Sequence, residues 1–161
     1  RSQRTSAATL YHQAVSAADK ANKKSLLEKI TRDYGDTAYG ALALMHLAQV
    51  DSKHAETHLQ TLINHPAAMP EWIWQARLDL AEIYLQRGDA QAARSILQAP
   101  VGKRYEQLRH YLLALSAGDA SEKTAHLQQA LDAVSTDADL KRKIEMMLAE
   151  TRAAAGASGS Q

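Results

Sequence analysis

Apolar residues recur along this chain at intervals of three and four, the spacing of one face of an α-helix. Leu10, Ala14, Val15 and Ala18 mark a first helix, expected to start near Ala7 after a polar, flexible segment at residues 1–6. Leu26, Leu27 and Ile30 mark a second, expected after Asn22 and ending at Asp33-Tyr34-Gly35, so that the two make a hairpin. Asp36 or Thr37 supplies the side-chain cap of a third helix, which carries Tyr39, Leu42, Ala43, Met45, His46 and Leu47. The chain restarts at Asp51-Ser52, and a fourth helix with Ala55, Leu59, Leu62 and Ile63 inward stops before Pro66, whose missing N–H ends it. The fifth helix follows Pro70 and has three stripes. Ile73, Ala76, Leu80, Ile83 and Tyr84 form one apolar stripe, and Trp74, Leu78, Ala81 and Leu85 form another. Glu71, Gln75, Asp79, Glu82 and Gln86 form the polar third, the pattern of a helix packed on two sides.

Gly88-Asp89 interrupts this run, and Ala92, Ala93, Ile96 and Leu97 resume the apolar spacing after it. Glycine takes the left-handed conformation that closes a helix without a Cβ penalty, and the aspartate then caps the next helix. Pro100-Val101-Gly102 breaks the sixth helix. A seventh is expected from about Arg104 to Ala117 with Tyr105, Leu108, Leu112 and Leu115 inward, and Gly118-Asp119 repeats the Gly88-Asp89 turn. Leu127, Ala130, Leu131 and Val134 mark the eighth. A last helix starts at Thr136 or Asp137 and carries Leu140, Ile144, Met147 and Leu148, with Lys141, Arg142, Lys143 and Glu150 outside. The Ala/Gly/Ser stretch 153–161 is expected to be a flexible tail, leaving 7–152 as one helical domain.

Leu80, Ala81, Tyr84, Gly88-Asp89 and Ala93 stand in the order of the tetratricopeptide repeat (TPR) signature, which this stretch resembles. The resemblance implies a right-handed TPR-like solenoid of about four antiparallel hairpins closed by a C-terminal capping helix, with Gly88, Asp89, Gly118 and Asp119 as structural turn residues. In such a stack the first helix of each hairpin lines the concave face. Gln75, Asp79, Glu82 and Gln86 are therefore the expected partner-binding residues. Val50-Asp51-Ser52 in place of a Gly-Asp turn, Pro100 in place of a late alanine, and His110 and Tyr111 mark divergent repeats.

Composition supports the all-α reading: hydrophobic residues make up 45% of 161 but aromatics only 5%, with no Phe, so Ala, Leu and Ile must build closely packed helix interfaces. The net charge of +1 provides no field for a polyanion, and nucleic acid is not an expected partner. With no cysteine there is no disulfide, thiolate chemistry or Cys-ligated zinc. No stretch reaches the ~18 apolar residues of a membrane helix.

The residues that invite chemistry read as surface. His54-Ala55-Glu56-Thr57-His58 departs from the metalloprotease spacing, since Glu56 falls about 200° around a helix from His54. Without an evident third ligand the two histidines read as a solvated helix face, and no metal is expected. The acidic pairs Glu71 with Asp79 and Asp79 with Glu82 have no nucleophile or phosphate-binding loop beside them, so neither an enzyme nor a cofactor is expected. Trp74, early in a helix buried on two sides, reads as core.

Beyond the repeat, the chain resembles the bacterial YfgM-type proteins. The resemblance rests on Leu10-Tyr11, on Asp33-Tyr34-Gly35-Asp36-Thr37-Ala38-Tyr39 with the Ala/Leu run to Ala48, on the central repeat, and on Leu97-Gln98-Ala99-Pro100-Val101 leading into the Gly118-Asp119 hairpin. It implies a membrane helix just before Arg1 and a periplasmic domain on the bacterial inner membrane. It also implies a role as an ancillary subunit of the Sec translocon, with translocon subunits, periplasmic chaperones or secreted clients as partners. The alternative is a TPR scaffold of another envelope assembly, in outer-membrane biogenesis or cell division.

Overall fold

A computed structural model describes residues 2–159, with side chains from 5 to 157; residues 1, 160 and 161, at the ends of the two segments expected to be flexible, lie outside the described residues. Every described element is helical. In order they are α1 (Ser2–Ser16), α2 (Lys20–Asp33), α3 (Ala38–Val50), a 3-10 turn (Ser52–His54), α4 (Ala55–Ile63), α5 (Pro70–Gln86), α6 (Ala90–Leu97), a second 3-10 turn (Lys103–Tyr105), α7 (Glu106–Leu115), α8 (Ala120–Asp132) and α9 (Ala138–Gly159). None of the described helices is long and apolar enough to cross a membrane.

Short polar side chains start the helices. Asp19, Thr37, Asp89 and Asp119 each accept a hydrogen bond from the backbone N–H three residues on, and Asp137 accepts from the amides of Asp139 and Leu140. Each such cap satisfies one of the donors that a helix start leaves open, and is worth about 1 kcal/mol.

The chain divides into two compact units, Arg1–Ala76 and Arg77–Gln161, with α5 contributing its first turns to one and its last turns to the other. In the first unit α2 packs on α1 and α3, and α3 packs on α4. Its core is Ala14, Leu27, Ile30, Ala43 and Leu47, flanked by Leu10, Tyr11, Leu26, Tyr34, Tyr39 and Val50. In the second unit Leu78 and Ala81 of α5 meet Ala93 and Leu97 of α6 and Leu112 and Leu113 of α7. A further cluster joins Ala114 of α7 to Leu127 and Ala130 of α8 and to Ile144 and Leu148 of α9. Alanines at these contacts leave room for helix axes to approach closely, as a core without Phe requires.

Several boundaries differ from the sequence pattern. Asp19 caps α2 by accepting from the Asn22 amide, so that helix begins three residues before the expected start after Asn22. α1 runs from Ser2, because nothing in Ser-Gln-Arg-Thr-Ser breaks a helix, and it ends at Ser16. Val15, one residue round the helix from buried Ala14, is therefore 38% exposed rather than core. Leu115 and Val134, also expected inward, are exposed, Val134 because α8 stops at Asp132. α7 begins at Glu106, after the 3-10 turn. At the other end α9 continues to Gly159, since Ala153-Ala154-Ala155 are the strongest helix formers.

The two Gly-Asp turns are built differently. At Gly88 φ is +81°, the amide of Asp89 donates to the Tyr84 carbonyl at 2.8 Å, and that of Gly88 donates to Leu85 at 3.1 Å, which is a Schellman closure. Gly118 does not share the positive φ; its amide instead donates to the Glu122 carboxylate at 3.2 Å, while Asp119 caps α8. Gly88→Val is accordingly expected to destabilise by about 1 to 2 kcal/mol through backbone strain alone, because no atom lies within 4 Å of an added Cβ there. Thermal unfolding reads this directly. An unchanged midpoint for Gly88→Val would mean that the left-handed residue is not required.

Candidate partner-binding surface

Helical spacing sets Gln75, Asp79, Glu82 and Gln86 on one face of α5. Gln75 is half-buried and belongs to the first unit; in the second unit Asp79 is half-buried, while Glu82 and Gln86 are exposed. The second unit also brings in a residue that the sequence pattern did not select, Tyr111 of α7. Burial, and after it the negative charge of Glu82, push the Tyr111 phenol above its usual pKa. Glu82 in turn is held above the ordinary carboxylate range by partial desolvation and then by Asp79 one turn away. Although Glu82 is exposed by area, the packed atoms beneath its carboxylate withhold water from part of it. Asp79, Glu82 and Tyr111 thus share one charged neighbourhood, able to accept hydrogen bonds from the amides or cationic side chains of a partner.

In the first unit α1 and α3 juxtapose Tyr11, Tyr39 and His46. The Tyr11 ring lies 5.5 Å from each of the other two, centroid to centroid. Burial, reinforced by Lys23, lowers the His46 pKa and favours the neutral imidazole. The Tyr11 hydroxyl and His46 Nε2 share a hydrogen bond at 2.9 Å. These rings are half-buried, as are Trp72 and Trp74 at the start of α5.

His54 is exposed as expected, whereas His58 is half-buried, and both rings turn to one carboxylate. His54 Nδ1 stands 3.1 Å from both carboxylate oxygens of Asp51, and His58 Nε2 stands 2.8 Å from one of them. Lys24 of α2 approaches the other at 3.5 Å. Asp51 is only 7% exposed, and its pKa is held down to about 2, chiefly by the His58 hydrogen bond and, against the opposing cost of burial, by His54 and Lys24. The sequence reading placed both histidines on a regular α-helix, whereas His54 sits in the 3-10 turn before α4. That turn lets Asp51, three positions before His54 and seven before His58, serve as their common partner. Among the described residues no group of three or more His, Asp or Glu is arranged to hold a metal ion.

A second polar lock fastens the loop before α7. Arg109 clasps both oxygens of Glu106 at 3.0 Å and donates to the Leu97 carbonyl at 2.7 Å, while Glu106 also accepts from the Val101 amide at 3.1 Å. The Glu106 pKa is lowered, because these hydrogen bonds outweigh its burial. Each of the polar groups in this lock is held by others in the same fold.

A model of the tetratricopeptide repeat-like domain matches residues 1–153. No curated protein and no solved structure matched the chain.

Proposed function

We propose that this chain, which belongs to the tetratricopeptide repeat-like domain family, is the periplasmic part of a bacterial inner-membrane protein that assists the Sec translocon. Domains of this kind are in general non-catalytic scaffolds for protein–protein interaction. The finer assignment rests on one observation, the in-order resemblance to the YfgM-type proteins from Leu10-Tyr11 through Asp33–Ala48 to the Gly118-Asp119 hairpin. In this reading the domain binds translocon subunits, chaperones or emerging clients reversibly, and an upstream membrane helix raises its local concentration at the translocon. No cofactor takes part.

The test is affinity purification of the membrane-extracted, full-length protein, followed by identification of the chains that come with it. Translocon subunits are expected to be enriched. Enrichment of outer-membrane assembly or division proteins alone would move the function to another envelope scaffold.

Within this proposal Gln75, Asp79, Glu82 and Gln86 contact the partner. Replacing Gln75, Glu82 and Gln86 together by Ala is expected to weaken binding to a confirmed partner by about tenfold or more, at unchanged helicity. Titration calorimetry giving parental affinity would remove the stripe from the interface.

A further inference from the structure

The buried side-chain nitrogen and oxygen atoms without a hydrogen-bond partner, among the described residues, are Nε2 and Oε1 of Gln107 and Nδ1 of His110. They lie one turn apart on α7, the helix packed most extensively on α8. Gln107 is 1% exposed. Unpaired buried polar groups are rare in native folds, because each forfeits about 1 to 3 kcal/mol of lost solvation. Three such atoms stand on one turn of α7, and one of them belongs to the residue that meets α8.

His110 stacks on His126 of α8, with ring centroids 6.1 Å apart and planes inclined by 24°. Its Nε2 faces the Glu106 carboxylate at 3.2 Å, so in the neutral ring the proton sits on Nε2 and the bare nitrogen is the buried Nδ1. The same Glu106 is already committed to Arg109 and to the Val101 amide. The charged and titratable groups facing His110 are therefore Glu106 and Arg109 from α7 and His126 from α8, with Glu122 beyond His126 at 4.0 Å. From α5, Glu82 acts on Tyr111 instead.

We infer that the His110–His126 stack is an acid-sensitive latch on the α7–α8 seam, which opens more readily when His110 takes a proton. Protonation puts a new N–H on a buried nitrogen with no acceptor and sets a positive charge against both the His126 ring and Arg109. Burial, and after it Arg109 and His126, lower the His110 pKa against the opposing pull of Glu106. Its folded pKa thus lies below the unfolded value of about 6.5, so the open state takes the proton first. The stabilisation of the closed seam is complete above about pH 6.5 and is lost as pH falls toward the folded pKa.

Hydrogen exchange of the whole chain, corrected for intrinsic rates at about pH 7.5 and about pH 5.5, tests this. The α7 and α8 amides of the parent are expected to open severalfold more often at the lower pH. His110→Gln keeps a donor for Glu106 but cannot be protonated, and it should show no such rise. An equal rise in His110→Gln, or none in the parent, overturns the latch. Should His110→Gln fail to fold, NMR titration of His110 in the parent decides: a pKa at or above that of free histidine overturns it, and a lower one supports it.

Discussion

Gly40→Ala is expected to destabilise the first unit by about 3 kcal/mol, a large share of the total for a domain of this size. Gly40 is buried in the first turn of α3. An added Cβ would stand 2.7 Å from the Tyr34 carbonyl oxygen and closer still to that of Gly35. Both atoms are backbone, so no change of rotamer relieves the contact. The turn itself is pinned: the Tyr34 amide donates to Ile30 at 2.8 Å, and the Tyr34 carbonyl accepts from the Thr37 hydroxyl at 2.7 Å. Alanine's helix advantage of about 1 kcal/mol cannot offset a clash of that kind. Gly156→Ala is the matching control, since nothing lies within 4 Å of its added Cβ, and in α9 it should stabilise slightly. Urea unfolding compares the two. A Gly40→Ala midpoint equal to that of the parent would show that α3 does not approach the turn this closely.

Asp51→Asn is expected to cost about 2 kcal/mol at neutral pH and to change the acid limb of unfolding. The carboxyl is held at about 2, first by the His58 hydrogen bond and then, against burial, by His54 and Lys24. A carboxylate whose folded pKa is depressed stabilises fully above its unfolded value, near 4, and loses that stabilisation as pH falls through the folded one. The parent should therefore lose about 2 kcal/mol between about pH 4 and about pH 2, and Asp51→Asn should lack that loss. The carboxylate sits near the surface under its partners, so screening keeps the figure toward the lower end. Denaturant unfolding across this range decides, and an identical acid limb in Asp51→Asn would relieve the cluster of the role.

Much of the fold could be read from local chemistry. The caps at Thr37, Asp89 and Asp119, the break at Pro66 and the two apolar stripes of α5 depend on residues within four positions of each other, which is the range over which side-chain oxygens, prolines and helical periodicity act. The candidate surface was legible only on α5. Tyr111 belongs to the neighbourhood of Glu82 because α7 packs beside α5, and no spacing within either helix shows it. Asp51 was read as a turn residue and not as the partner of the histidines, because the 3-10 turn after α3 departs from the α geometry on which the His54–His58 reading relied.

The sequence by itself determined that the chain is all helix, where most helices stop and start, and which faces turn inward, because those follow from short-range hydrogen bonding and from the spacing of apolar residues. Only the tertiary structure decided which polar groups meet. Asp51 gathers His54, His58 and Lys24, His110 stacks on His126 with its Nδ1 unpaired, and Gly40 lies where a Cβ would strike the preceding turn. Those meetings depend on the approach of helix to helix, and angstroms of approach settle whether a carboxylate is shared, a nitrogen is stranded or a methyl group has room.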